Sequence, residues 1–146
     1  MNHDAPYPDR YLRDILTGVR TIAVVGASPS PHRPSHGVMR YLQRHGYRTI
    51  PVNPNAAGDT ILGERCYAGL ADVPEPVDMV DVFRRSAFAG AAADDAIAAG
   101  ARVVWMQLGV RNDEAAARAE AAGLNVVMNR CPAIEIPRLG LGGPET

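Results

Sequence analysis

Lysine is absent from these 146 residues: all fifteen cations are arginine, set against sixteen acidic residues for a formal net charge of −1. General nucleic-acid binders and membrane-surface proteins depend on a basic excess, and this chain has none. Without a lysine there is no Walker-type phosphate loop either. Exclusive arginine beside 23 alanines records a GC-rich coding sequence more than a function, although every guanidinium still offers a planar fork to a phosphate. Cysteine is scarce. Cys66 and Cys131 stand apart with no Cys-x-x-Cys or histidine spacing, so neither a disulfide framework nor a metal site is expected, only two reduced thiols. No apolar run reaches the roughly 18 residues of a membrane span. The opening Met-Asn-His-Asp-Ala-Pro lacks the cationic and apolar stretches of a secretion signal, and a cytoplasmic location is the expectation.

What is present suffices for one domain over residues 1–146, with a core over about residues 12–139. Sixty-eight residues are apolar, 45 of them larger than alanine, and a chain of this length buries about 70% of its unfolded surface without a staple. Five short runs rich in β-branched or bulky side chains read as buried strands: Thr21–Val25, Arg48–Val52, Met79–Phe83, Arg102–Met106 and Leu124–Met128. Helical stretches separate them at His36–His45, Ala87–Ala99 and Asp113–Ala122, each followed by or closing on a glycine, with Ser35, Ser86 and Asn112 as N-caps. An extra helix precedes the first strand over Asp9–Leu16. The tail beyond Leu139 is expected to fray. Strands separated by helical crossovers cannot form hairpins, so the expected fold is α/β: a Rossmann-like open parallel sheet of about five strands, with helices on both faces.

In such a sheet the ligand sits beyond the carboxyl ends of the strands. The loop after the first strand runs ten residues, Gly26 to Ser35, where about two to six are usual. Gly26 permits close backbone approach, Ser28 and Ser35 supply hydroxyls, Arg33 supplies a guanidinium, and the following helix points its amides and positive dipole at the same space. These are parts of an anion site. The dinucleotide fingerprint is missing, since Gly-x-Gly-x-x-Gly would need glycine at Ser28 and Pro31. Asn53 follows the second strand, where an NAD enzyme usually carries an acid for the ribose; a neutral residue there tolerates a phosphorylated ribose, or simply makes a turn. Arg84 and Arg85 stand at a helix start, where cations are locally unfavourable. An anionic ligand would relieve them, and so would a distant carboxylate. Gln107 and Gly109 follow the fourth strand and either floor an adenine or pantetheine pocket or turn into the next helix. For chemistry, only His36 and Cys131 are candidates near the pocket, and Cys131 also reads as a plain buried thiol. No catalytic triad order or activated nucleophile accompanies them.

Taken in order, Val25-Gly26-Ala27-Ser28 with Arg33 and Ser35, Pro51-Val52-Asn53-Pro54, Cys66-Tyr67, Val77 through Arg84, Val104 through Gly109 and Val126 through Cys131 resemble the stand-alone CoA-binding domain family. That family is related to the N-terminal CoA-binding domain of the succinyl-CoA synthetase alpha subunit. The resemblance implies that the loop beginning at Gly26 and Ala27 handles phosphates and that Asn53, Pro54 and Asn55 lie near the adenosine, with Val52 counted among the cofactor-binding residues. Asn129 stands where the family would lead one to expect Asp, and Asn55 where relatives often place a lysine, so Arg33, Arg84 or Arg85 must meet the 3′-phosphate. Synthetases of this kind carry their phosphorylated histidine in a further domain, so ligase activity is not carried over. The reading that follows is a non-catalytic CoA or acyl-CoA binding protein, with a protein partner that senses it or a homo-oligomer left open. The alternative is an NAD(P)-dependent oxidoreductase using the same surface, and a scaffold with an empty site is a third reading.

Overall fold

The computed structural model describes residues 1–145. Five strands form one parallel sheet: β1 (Thr21–Val25), β2 (Arg48–Val52), β5 (Met79–Val82), β6 (Val103–Met106) and β7 (Asn125–Val127), in the order β2-β1-β5-β6-β7. The small antiparallel pair β3 (Thr60–Ile61) and β4 (Glu64–Arg65) stands outside it. Helices α1 (Asp9–Gly18), α2 (Pro34–Arg44) and α5 (Pro132–Arg138) cover one face; α3 (Ser86–Ala98) and α4 (Asp113–Ala121) cover the other.

Strand periodicity explains the two layers. Alternate residues point to opposite faces, so Ile22, Val24, Met79 and Trp105 meet Leu12, Leu16, Met39 and Ile136 from α1, α2 and α5. Their neighbours Ala23, Val80, Val104 and Val126 meet Ala89, Ala93, Ala115 and Ala119 of α3 and α4. The alanines let those two helices lie close to the sheet while still burying apolar surface.

The predicted strands are observed to within a residue at each end. Two of the three proposed caps are not. Asn112 does accept from the Ala115 amide at 3.0 Å, but α2 is preceded by Arg33 and α3 by Arg85, neither with a capping side chain. The reason at α2 is Pro34, whose fixed φ suits the first helical position and starts the helix ahead of Ser35. Ser35 Oγ instead accepts from the Ser28 amide at 3.1 Å, and Ser86 Oγ accepts from the Arg111 amide at 3.0 Å.

The last helix, α5, was not expected, and the tail after it is not frayed through residue 145. Leu141 N donates to Ile136 O at 2.9 Å and Glu145 N to Thr17 O at 2.9 Å, while Gly143 lies against the His45 carbonyl. Thr146, part of the same expectation, lies outside the described residues. At the opposite end of the chain, the N-terminal segment covers the outer edge of β7. Tyr11 Oη donates to Val126 O at 2.8 Å and accepts from Val126 N at 3.0 Å, and Tyr7 Oη accepts from Met128 N at 2.9 Å. Those contacts satisfy an edge that would otherwise offer free backbone groups to another chain.

Candidate anion-binding cleft

Register decides what meets at the top of the sheet. Val25 lies beside both Val52 and Val82, Val82 beside Met106, and Trp105 beside Val127. The residues that follow these strands, Gly26, Asn53, Phe83 and Gln107, therefore emerge side by side. The chain passes from β1 to β2 on one flank and then returns to β5 on the other, which makes the β1–β5 boundary the switch point where open α/β sheets hold ligands. A cleft of about 610 Å³ opens there.

Nine of the twelve residues singled out from sequence line this cleft: Gly26, Ser28, Arg33 and Ser35 from the β1–α2 loop and helix start, Asn53 after β2, Arg84 and Arg85 after β5, and Gln107 and Gly109 after β6. Ala27, Val52 and Pro54 do not. Ala27 is buried, Val52 faces the α3 and α4 layer, and Pro54 is an exposed residue opening a 3₁₀ turn. The wall also includes Pro34, Phe83, Leu108 and Val110. Leu108 is an exposed large apolar side chain between Gln107 and Gly109, and that position after the fourth sheet strand is legible in the sequence.

Gly26 is the tightest point. Its φ is +89°, and a Cβ built there would lie 2.5 Å from the carbonyl oxygen of Phe83. The glycine is thus required first by the close passage of the β5 exit, before any ligand arrives. Beyond it the loop is held by its own hydroxyls: Ser35 Oγ takes the Ser28 amide, and Ser28 Oγ takes the Ser30 amide at 3.1 Å. Asn53 locks this loop to the β2 exit. Its Nδ2 donates to Ala27 O at 2.8 Å and its Oδ1 accepts from Asn55 N at 2.9 Å, so the side chain is occupied by backbone at both ends.

The remaining loops are tied together in the same way. Asn129 has φ +58°, a left-handed conformation that asparagine tolerates, and its Oδ1 accepts from Gly109 N at 2.7 Å. Here asparagine serves the tethering role directly, since only an acceptor oxygen is needed. Ser86 completes the tether by accepting from Arg111 N.

Three arginines and no aspartate or glutamate line the cleft. Among the described residues none of Arg33, Arg84 and Arg85 has a carboxylate within ion-pair distance, whereas Arg48, Arg111 and Arg118 are each paired with two acids. Arg84 and Arg85 lie over the Phe88 ring at 5.0 and 5.6 Å, which orders their stems without neutralising their charge. The start of α2 adds its positive dipole end through Arg33, Pro34 and Ser35. The whole wall favours an anion.

Neither residue considered for chemistry lines the cleft. His36 sits in the first turn of α2 with a buried Nδ1 that has no hydrogen-bond partner. Cys131 is buried, and burial pushes its thiol above the ordinary range, although Gln107 and the amides of Ala133 and Ile134 pull the other way. Cys66 is likewise buried, free and raised by burial. Among the described residues there is no group of three or more His, Cys, Asp or Glu placed to hold a metal ion, and no helix is long and apolar enough to cross a membrane.

The sequence profile of the CoA binding domain matches residues 20–137. An uncharacterised Bacillus subtilis protein, YneT, is 38% identical over 120 residues, covering 82% of this chain and 87% of its own length. A hypothetical protein from Pyrococcus horikoshii has a solved structure that superposes with a TM-score of 0.87 at 40% identity, covering 95% of this chain and 99% of that one. The ADP-forming acetate–CoA ligase II of Archaeoglobus fulgidus is 38% identical over 78 residues, 52% of this chain but only 11% of the ligase.

Proposed function

This chain belongs to the CoA binding domain family, and from that premise we propose that it binds CoA or a short acyl-CoA in the cleft at the β1–β5 switch point and performs no chemistry on it. The observation that carries the reading is a wall with three arginines and no carboxylate, built around a helix start. CoA brings a diphosphate and a 3′-phosphate, and those charges need cations that are not already neutralised within the fold. In this reading Arg33, Ser28, Ser35 and the first turn of α2 face the diphosphate. Arg84 and Arg85 meet the remaining phosphate, and the Gln107–Val110 loop runs beside the pantetheine arm. The protein would act in the cytoplasm as a carrier or sensor whose loaded state a protein partner reads.

A catalyst must bring an acid, base or nucleophile against the reacting atoms. Neither His36 nor Cys131 is among the residues lining the cleft, and a thiol raised by burial is a poor nucleophile at neutral pH. An NAD(P)-dependent oxidoreductase is not favoured: the cleft has no acid to hold a ribose diol, and Asn53 spends its side chain on backbone.

The test is to denature protein purified under native conditions and identify the released small molecules by mass spectrometry, then to assay acyl-CoA hydrolysis, ATP-dependent acyl-CoA ligation and NAD(P)H oxidation. We expect a CoA species and no turnover. Release of NAD(P), or turnover lost in His36→Ala or Cys131→Ser, would contradict the proposal.

A further inference from the structure

Helix α2 turns a purely cationic row outward. It is the only one of the five α-helices without an acid anywhere in its sequence. Arg33, just ahead of the helix, is followed by Gly37, Arg40 and Arg44 at steps of four, three and four residues, so the four share one side, and all are exposed. At about 1.5 Å of rise per residue the row runs roughly 16 Å. Among the described residues, Arg40 and Arg44 resemble Arg33 in having no carboxylate within ion-pair distance.

Gly37 stands inside that row. Glycine weakens a helix interior relative to alanine, yet nothing within the fold requires it: its φ is not in the left-handed region, and an added Cβ would meet nothing within 4 Å. The bare backbone leaves room for close approach from outside, between two guanidiniums. The chain has no matching acidic row of its own. Eleven of its sixteen acids already sit in ion pairs, Asp81 is buried, and Asp59, Asp72, Asp95 and Glu145 lie on separate elements. A second copy of the chain is therefore a poor complement. So is a nucleic acid, for which three cations on a chain of net charge −1 are too small a footprint. Helix α5, packed beside α2, exposes the large apolar side chain of Ile134, which suits a peptide segment better than a free anion.

We propose that this face of α2 docks a carboxylate-rich segment of a protein partner, with Arg40 and Arg44 meeting its acids and Gly37 admitting its backbone. Arg33 couples the face to the cleft, because it both lines the cleft and heads the row. With CoA bound, its guanidinium is engaged by phosphate, so the loaded protein offers the partner one free cation fewer and holds it more weakly. The coupling rests on the CoA reading; the docking face does not.

Fluorescence anisotropy with a labelled oligoglutamate peptide of about ten residues, long enough to span the row, separates the two parts. Wild type is compared with Arg40→Glu/Arg44→Glu and with Arg10→Glu/Arg13→Glu, which makes the same charge change at exposed positions of α1. The expected result is peptide binding by wild type, a loss of about tenfold or more in the α2 variant, little change in the α1 variant, and CoA affinity unchanged in both. No binding by wild type, an equal loss in both variants, or tighter binding of a single-stranded oligonucleotide with the same number of charges would overturn the docking face. Saturating CoA should weaken the peptide severalfold. Unchanged peptide affinity in a protein that binds CoA would overturn the coupling alone, whereas a protein that binds no CoA would overturn the CoA reading and the coupling with it. Gly37→Gln adds a check that misfolding cannot imitate: its urea midpoint should rise while its peptide affinity falls about threefold or more. A stable Gly37→Gln protein that binds the peptide like wild type would overturn the close approach at Gly37.

Discussion

Replacing Gly26 by valine should destabilise the fold by roughly 2–6 kcal/mol and eliminate CoA binding. The glycine's φ of +89° is strained for any other residue, worth about 1–3 kcal/mol, and forced overpacking adds about 1–3 kcal/mol. The obstruction is the Phe83 carbonyl, 2.5 Å from the added Cβ, and a backbone oxygen at a strand exit cannot swing aside. Because Gly26 N also donates to Val52 O at 2.8 Å, a shift here disturbs both the β2 and β5 exits. Such a loss is a large fraction of the about 5–15 kcal/mol that holds a typical domain. Urea denaturation measures it. Arg33→Ala is the companion variant: Arg33 is exposed and unpaired with any described carboxylate, so its removal should leave the denaturation midpoint unchanged and weaken CoA by about 1.5–3 kcal/mol. A Gly26→Val protein as stable as the parent would show that the β1–β5 junction yields more easily than its geometry implies.

The second large effect belongs to Asp81. It lies in the centre of β5 between Val24 and Trp105, fully buried, and neither carboxyl oxygen has a hydrogen-bond partner. Burial therefore holds its pKa well above the ordinary carboxylate range, and the folded state keeps the carboxyl neutral. The folded protein retains a proton that the unfolded chain loses near pH 4. Stability is accordingly greatest below that pH for this group and falls as pH rises toward the raised folded value, by up to about 1.4 kcal/mol per pH unit. Glu75 and Asp78 are shifted the opposite way, so their contributions are lost as pH falls below the ordinary carboxylate range. Cys66 and Cys131 are raised from an already alkaline value. The interval from pH 5 to 8 thus isolates Asp81 from these groups. Urea denaturation across it should show a declining stability in the parent and a flatter profile in Asp81→Asn, which cannot ionise. Parallel profiles for the two proteins would refute the assignment.

Much of this architecture was legible because each strand is a short apolar run and each crossover helix has its own stop signal. Parallel pairing then followed from the alternation, and the cleft from the rule that loops at the carboxyl ends converge. What escaped was set by local or tertiary contacts. Helix α5 has only seven residues and a proline at position 137, too little for a periodic pattern. The β3–β4 turn places both Leu62 and Gly63 at positive φ, and leucine gives no hint of that. Ser35 and Ser86 were recognisable as hydrogen-bonding residues, but whether such a hydroxyl caps its own helix or ties down a neighbouring loop depends on the partner that folding brings close. Asn53 makes the same point: its neutrality was visible, its service as a clamp on Ala27 was not. Asp81 was hidden within an otherwise apolar strand, where nothing in the sequence distinguishes an exposed acid from one sealed beneath the cleft.

A cleft built for CoA must distinguish it from related nucleotides, which calorimetric titration of the purified protein with CoA, dephospho-CoA and NAD measures. Three arginines facing a wall without carboxylates predict tight binding of CoA, weaker binding of dephospho-CoA through loss of the 3′-phosphate, and weakest binding of NAD, which lacks both that phosphate and the pantetheine arm. NAD binding as tight as or tighter than CoA would show that the cleft is not a CoA site.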